Sequence, residues 1–305
     1  MELKVENLHK SFDGQEVLHG ISFSIQSGKA LGLLGRNGAG KTTTIRILMD
    51  VFKANEGTIF IDGKPFHPSE YKIGYMPEER GMYPKKRVDE QLIYFAQLRG
   101  IKKAEAKKEA QRWLDRLHIK EYEHRKLETL SKGNQQKIQL IQTLICNPDI
   151  VILDEPFSGL DPVNSQLLKD VVKDLIQEGK LVIFSSHQMS YVEEFCEDIL
   201  IINKGEVALQ GNLHDIKKEY GYNRLVLNIS KYTPMQMRAL CTAELKDIVD
   251  IYEERKDCFI LELKSGHTKL ELLNTLVGLQ LNIEKFMEYE PTLTDIFVLK
   301  AGDHA

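Results

Sequence analysis

One segment, Gly35 to Thr42, has the spacing G-x-x-x-x-G-K-[ST] that is typical of a phosphate-binding loop. Its glycines allow successive backbone N–H groups to point inward at an anion, and the next helix adds its positive N-terminus. Lys41 is expected to reach the β- and γ-phosphates, the Thr42 hydroxyl to bind Mg²⁺, and Thr43 to reach the α-phosphate. A tight glycine turn without a ligand is the alternative, but it leaves the lysine and both threonines without a purpose. The residues assigned to phosphate binding are Gly35, Asn37, Gly38, Ala39, Gly40, Lys41, Thr42 and Thr43.

A second reactive feature is the acidic pair Asp154–Glu155, which follows the apolar run 150–153. Two carboxylates at the end of a core strand are costly unless a cation meets them, and Mg²⁺ is the natural partner. Asp154 is therefore expected to hold the metal directly or through water. Glu155, one residue closer to the γ-phosphate, is expected to polarise the attacking water as a general base. An ordinary acidic turn at a strand end is the alternative.

The elements that position these groups alternate between strands and helices in the first part of the chain. Strands are predicted over 2–8, 21–25, 30–34, 58–62, 72–76, 149–153, 181–185, 198–202 and 207–210. Helical spacing covers 41–50, directly after the phosphate loop, and most of 88–146. From about residue 223 the order β-α-β-β-α-β predicts a small α+β, ferredoxin-like unit. We therefore expect a domain over 1–222, with a helical subdomain at about 88–147, and an accessory domain over 223–305.

Further motifs resemble those of ABC-type ATPases and occur in that family's order. The resemblance rests on the aromatic residue Phe12, the Q-loop-like 73–78, the signature-like 130–137, the D-loop-like 158–161 and the switch-like pair Ser186–His187. Together with the two features above, they cover residues 1 to about 211. The fold implied is a P-loop α/β ATPase domain. The segment after residue 222 resembles the appended domain of bacterial two-component exporters of the sodium-extrusion type. The amino-acid sequences of 77–86 and 290–297 also resemble those of that subgroup.

The resemblance implies a Mg²⁺-dependent ATPase in which two such domains bind head to tail, with two ATP molecules between them. Ser131, Gly133 and Asn134 would complete the γ-phosphate site of the opposite domain. Asp161 would link the two sites across the interface. Because all these motifs lie in one chain, a homodimer would have two complete sites, and a heterodimer with a second ATPase subunit is not excluded.

Three roles within one nucleotide site also follow from the resemblance. His187 would contact the γ-phosphate and the attacking water, and Phe12 would stack on adenine. Mg²⁺ would be held by Thr42, Asp154 and Glu78. Glutamine is usual at the last of these positions. A carboxylate cannot donate to water but is the stronger ligand for a hard metal, so we expect a tighter Mg²⁺ dependence.

Two other departures lie in the signature, where Lys132 replaces a glycine and Asn134 replaces a glutamine. The added cation would lie near the opposing phosphates or point to solvent, and the amide is kept on a shorter stem. Both departures bear on the rate of hydrolysis. The charged stretch 79–87 lies where a membrane partner docks in this family, and a solvated loop is the alternative.

Composition narrows the functions that remain. The chain has 41 Lys and Arg against 45 Asp and Glu, a formal charge of −4, which does not favour a free-standing nucleic-acid binder. No secretory signal or transmembrane run is evident, and four scattered cysteines suit a reducing compartment. We therefore expect a cytoplasmic subunit, held at the inner face of the cell membrane by a separate permease that it powers, with transport in the outward direction. A soluble ATPase of this type acting on ribosomes or DNA is the alternative, and a non-hydrolysing regulatory module is a third.

Overall fold

The computed structural model describes residues 1–79 and 81–302. Arg80, within the stretch expected to dock a partner, and the last three residues of the expected accessory domain lie outside the described residues. The chain divides into two compact units, one formed by Met1–Leu213 with the chain from Phe297 onward, the other by His214–Ile296. The helix Leu213–Gly221 begins at this junction, and the expected boundary after residue 222 lies at its other end.

The strands of the first unit form two sheets. A four-stranded antiparallel sheet has the order β2-β1-β4-β5, and a six-stranded sheet has the order β10-β9-β3-β8-β7-β6. The strands are β1 (Glu2–Phe12), β2 (Gln15–Gln26), β3 (Ala30–Leu34), β4 (Glu56–Ile61), β5 (Lys64–Pro65), β6 (Ile73–Met76), β7 (Ile150–Asp154), β8 (Leu181–Ser185), β9 (Asp198–Asn203) and β10 (Glu206–Asn212).

The six-stranded sheet is parallel from β9 to β6, and only β10 at its edge is antiparallel. Strands β3, β7 and β8 are almost wholly apolar and buried, as expected for parallel strands covered on both faces. Since β3, β8, β7 and β6 are neighbours and parallel, the residues that follow each of them meet at one edge of the sheet.

The hairpin of β1 and β2 is longer than the sequence predicted. β1 continues to Phe12, and a two-residue turn joins it to β2, with positive φ at Asp13 (49°) and Gly14 (81°). Such a turn matches the twist of paired strands. Register shifts after Val5 and Leu8 break the alternation of buried and exposed residues. Because that alternation is the signal of a strand, the second half of β1 was not predicted from the sequence.

In the first unit, helices follow the phosphate loop, fill the predicted helical segment and lie after β7 and β8. They are α1 (Lys41–Leu48), α2 (Val88–Leu98), α3 (Lys103–Arg116), α4 (Lys132–Leu144), α5 (Pro162–Gln177) and α6 (Met189–Phe195). The predicted helical stretch is thus three α-helices, joined between α3 and α4 by two short 3₁₀ turns. Among residues 1–79 and 81–302, no helix is long and apolar enough to cross a membrane.

The second unit has the predicted β-α-β-β-α-β order. Its antiparallel sheet has the order β12-β13-β11-β14, which is the ferredoxin-like arrangement, so this prediction is confirmed. Its apolar core joins the sheet to α8 and α9. The elements from residue 213 to the end of the described chain are α7 (Leu213–Gly221), β11 (Arg224–Ile229), α8 (Pro234–Ala243), β12 (Val249–Arg255), β13 (Cys258–Leu263), α9 (Lys269–Gly278), β14 (Ile283–Glu288) and α10 (Leu293–Ala301).

Candidate functional site

The glycine-rich loop joins β3 to α1 and is packed tightly on its inner side. Gly40 has a φ of +114°, and a Cβ there would lie 2.5 Å from Cδ2 of Leu18. A Cβ on Gly35 would lie 2.4 Å from the carbonyl oxygen of Ile202. Glycine is therefore required at Gly40 by its backbone conformation and at Gly35 by the close approach of another backbone segment. The loop leaves Asn37 and Gly38 exposed and Ala39 buried, with Lys41 at the start of α1.

The half-buried ammonium of Lys41 lies folded over the loop. Its Nζ donates to the carbonyl oxygens of Gly35 at 2.6 Å and Arg36 at 3.2 Å. Burial lowers the pKa of this ammonium, and the carboxylates of Asp154, Glu155 and Glu78 oppose that shift. Lys41 therefore has negative charge nearby on the side of the acidic pair, and an anion in the loop would favour its charged form.

The acidic pair follows β7 at the same sheet edge. Ser185, the register partner of Asp154 on β8, donates its hydroxyl to Oδ1 of that carboxylate. The Tyr75 hydroxyl on β6 lies 3.5 Å from Oδ2 of Asp154. Burial is the main cause that raises the Tyr75 pKa to about 12, and the negative charge of Asp154 is the second. The neutral phenol therefore remains a donor at physiological pH, and the Asp154 carboxylate is oriented from both neighbouring strands.

Glu155 is buried and held in a left-handed backbone conformation, with a φ of +49°. Its Oε1 accepts the backbone N–H of His187 at 2.5 Å, and its Oε2 accepts the Ser186 hydroxyl at 3.3 Å. The His187 Nε2 lies 3.7 Å from Oε1, while its ring is largely exposed. Burial raises the pKa of the Glu155 carboxyl, and the neighbouring His187 partly offsets this. This arrangement can orient a carboxylate and increase its basicity.

Comparison with known proteins identifies the family. An ATP-binding protein of Bacillus subtilis, named as the uncharacterized ABC transporter ATP-binding protein YhaQ, is 43% identical over 98% of this chain and 98% of its own length. The chain belongs to the ABC transporter ATP-binding proteins.

Two family models and two further proteins agree with that assignment. The ABC transporter model matches residues 18–158, and a model of the C-terminal domain of DrrA1-3-like ATP-binding proteins matches 211–301. The Nod factor export ATP-binding protein I of Ralstonia nicotianae is 31% identical over 70% of this chain and 68% of its own length. A solved ATP-binding subunit of an ABC transporter aligns with a TM-score of 0.66 at 28% identity, covering 72% of this chain and 94% of that chain. ABC ATPases bind and hydrolyse ATP and work with a membrane permease.

In this ABC ATPase, the signature-like residues form the N-terminus of α4. The exposed Ser131 is the N-cap, and its hydroxyl accepts the Asn134 backbone N–H at 3.3 Å. A Cβ on Gly133 would lie 3.4 Å from Leu160, so this part of the signature lies beside the D-loop-like segment. Asp161 caps α5 and accepts the Asn164 backbone N–H at 2.9 Å, the bond that does most to lower its pKa.

The remaining predicted residues lie at the end of β1, after β6 and at the start of α1. Phe12 ends β1 and is 42% exposed, with its ring edge-on to Phe52 at 5.2 Å. The Lys10 ammonium lies 5.1 Å from both rings, so one face of this aromatic pair already carries a cation. Glu78 follows β6 and is exposed. Thr42 is exposed on the first turn of α1, whereas Thr43 is half-buried.

The sequence analysis missed several residues that tie the motifs together. From α4, the Gln136 side chain donates to the Pro156 carbonyl at 3.1 Å and Gln139 to the Pro77 carbonyl at 2.7 Å. Their spacing on one helix face was visible in the sequence, but nothing local indicated which loops they would meet. Tyr75 and Ser185 were likewise assigned only as strand residues.

Proposed function

We propose that this ABC ATPase hydrolyses Mg-ATP to power a separate membrane permease, and that the transporter is an exporter. Membership of the family supports the first part, and the export-named relative from Ralstonia nicotianae supports the second. The observation that carries the hydrolytic role is the buried carboxylate of Glu155, bonded to the backbone of His187 at the sheet edge that also bears the phosphate loop. A binding module would have no use for a buried carboxylate with a raised pKa there.

The phosphate loop would bind the nucleotide through its backbone N–H groups and Lys41. In the structure the Lys41 ammonium bonds to two loop carbonyls, and we infer that it exchanges them for phosphate oxygens when ATP arrives. Phe12 is exposed enough to offer a face to adenine. Thr43, one residue further into α1 than Thr42, is proposed to reach the α-phosphate.

The oxygen donors at the sheet edge suit Mg²⁺. Thr42 offers a hydroxyl, and Asp154 and Glu78 offer carboxylates, which are the hard ligands this ion prefers. The hydrogen bonds that Asp154 accepts from Ser185 and Tyr75 occupy one lone pair on each oxygen, so ligation remains open to it. When bound, Mg²⁺ supplies positive charge that neutralises the β- and γ-phosphate oxygens.

For the chemical step, we infer that Glu155 is the general base. Its raised pKa brings it closer to the pH of the cell, which favours proton abstraction from water. The backbone N–H of His187 fixes Oε1, leaving the imidazole free to contact the γ-phosphate and the attacking water.

Dimerisation would complete each nucleotide site. Ser131, Gly133 and Asn134 lie at the N-terminus of a 13-residue helix with no acidic residue in its first turn, so that end favours an anion. We infer that it meets the γ-phosphate bound to a second ATPase subunit, with Asp161 beside it. Both a homodimer and a heterodimer agree with this arrangement.

The permease is proposed to dock beside the stretch 79–87. A cleft of about 390 Å³ there is lined by Tyr83, Lys86, Glu90, Gln91 and Tyr94. The Tyr83 ring stacks on Phe95 at 5.9 Å and remains 52% exposed. Exposed aromatic rings beside charged side chains suit a short amphipathic helix from a membrane protein. Docking there would hold the subunit at the inner face of the membrane.

The test is a pull-down from detergent-extracted native membranes with tagged Glu155→Gln protein and Mg-ATP. The proposal is supported by a polytopic membrane protein that is lost when Tyr83→Ala is added. The same protein should be kept with Tyr232→Ala, which removes a tyrosine of the other unit that is 36% exposed. Ribosomal or DNA-associated partners with nothing polytopic would instead favour a soluble ATPase. That outcome would leave the ATP chemistry standing and remove the transport role.

A further inference from the structure

Three aromatic rings form a stack that includes a residue of the segment following the acidic pair. Phe157, two residues after Glu155, is 2% exposed. Tyr191 on α6 stacks on it with ring centroids 4.1 Å apart and an interplanar angle of 25°. Phe195, one turn further along α6, lies 5.8 Å from Phe157 at 9°. The stack therefore joins the segment that follows β7 to the helix that follows β8.

Each of these segments carries one member of the Glu155–His187 contact. Glu155 precedes Phe157 by two residues, and His187 precedes Tyr191 by four. The contact depends on a backbone N–H meeting a single carboxylate oxygen at 2.5 Å, so a small shift of either segment would break it. Glu155 also holds a left-handed φ, which persists only when the surroundings enforce it.

Apart from this stack, α6 is held by its buried Val192, which packs beside Gly32 of β3, and by Phe195, which lies 5.9 Å from Phe184 of β8. The helix has seven residues, and its N-cap, Gln188, makes no side-chain capping bond. Its outer side is held by α5, where Lys169 lies 5.2 Å from the Tyr191 ring centroid and forms an ion pair with Glu194 at 2.5 Å. The ring of Tyr191 is thus held between Phe157 on one side and a cation on the other.

We propose that Tyr191 is a positioning residue for hydrolysis. It acts through Phe157 to keep the Glu155 carboxylate within hydrogen-bonding distance of the His187 backbone N–H. This rests on the proposed catalytic role of Glu155. Tyr191 touches no reacting group, so its loss should lower the rate of the chemical step and leave nucleotide binding unchanged. A residue that merely filled the core would lower stability alone.

The test compares the full-length chain with four variants: Tyr191→Leu, Tyr191→Phe, Glu155→Gln and the control Phe66→Leu. Phe66 is half-buried and pairs with Tyr71 at 5.6 Å, so its change removes one aromatic contact outside this stack. Steady-state ATP hydrolysis gives kcat and KM, a fluorescent ATP analogue gives the dissociation constant, and thermal unfolding gives Tm.

Tyr191→Leu is expected to lower kcat about two- to tenfold, the factor that one stacked aromatic pair contributes to an equilibrium. KM and analogue affinity should stay at the wild-type values. Tyr191→Phe keeps the aromatic ring, so its kcat should equal that of the wild type. Phe66→Leu should also leave kcat unchanged. If Tyr191→Leu does not fold, Tyr191→Met, which keeps the bulk without the ring, is judged by the same criteria.

Two results would overturn the positioning role of Tyr191 and leave the catalytic role of Glu155 intact. The first is a wild-type kcat in Tyr191→Leu while Glu155→Gln is inactive. The second is a loss of kcat in Tyr191→Phe as large as the loss in Tyr191→Leu. Full turnover by Glu155→Gln would remove the proposed base and the positioning role with it. The Glu155→Gln measurement therefore separates failure of this inference from failure of the proposed function.

Discussion

Replacing Glu155 by glutamine removes the proposed base with little change in shape. The amide oxygen can still accept the His187 backbone N–H, and the Ser186 hydroxyl can rotate to accept from the new amide N–H. Because the carboxyl pKa is raised in the folded protein, its ionised form costs stability as pH rises above the unfolded value. The variant should therefore be at least as stable as the wild type at neutral pH.

The catalytic loss should be large by contrast. A positioned general base contributes about 10²- to 10⁴-fold, which corresponds to about 3–5 kcal/mol of activation free energy. Phosphate release at saturating Mg-ATP should fall by at least about 10²-fold. Affinity for a fluorescent ATP analogue should remain, and size-exclusion chromatography with Mg-ATP should show a trapped dimer. Turnover within twofold of wild type, with Tm unchanged, would refute the assignment of Glu155 as the base.

Three further predictions concern the same nucleotide site. Lys41→Ala should weaken binding of the ATP analogue by about 10- to 100-fold, the scale of a charged hydrogen bond, and equal affinity would contradict a phosphate role. Glu78→Gln should raise the Mg²⁺ concentration for half-maximal hydrolysis by at least about threefold, since a neutral amide is the weaker ligand, and an unchanged requirement would argue against ligation. The acidic limb of the kcat profile should lie above the ordinary carboxyl pKa of 4.5, because burial raises the pKa of Glu155 and only its ionised form accepts a proton. A limb that persists in the residual activity of Glu155→Gln would assign it to another group.

Motifs that are contiguous in the chain could be predicted from it. The glycines, Lys41 and Thr42 lie within one turn and one helix start, so their arrangement follows from local backbone geometry. The ferredoxin-like order of the second unit could likewise be predicted, because its elements alternate clearly and each strand is short. The extension of β1 to Phe12 could not, since register shifts disturb the alternation that marks a strand.

Contacts between motifs could not be predicted, because they depend on how a helix is rotated against loops that are distant in sequence. The amide of Gln139 meets Pro77, 62 residues away, and the Ser186 hydroxyl meets Glu155, 31 residues away. Spacing along α4 indicates which side chains share a face, but not what that face meets. The aromatic stack around Phe157 has the same origin.

The two glutamine bonds of α4 have a consequence for how the first unit opens. Gln136 and Gln139 are each almost fully buried, and each donates to the carbonyl of a proline in a different loop. Releasing either loop leaves a buried amide without a partner, which costs about 1–3 kcal/mol. The helix and both loops should therefore fluctuate as one cooperative unit, whose amide protons lose their protection from exchange together.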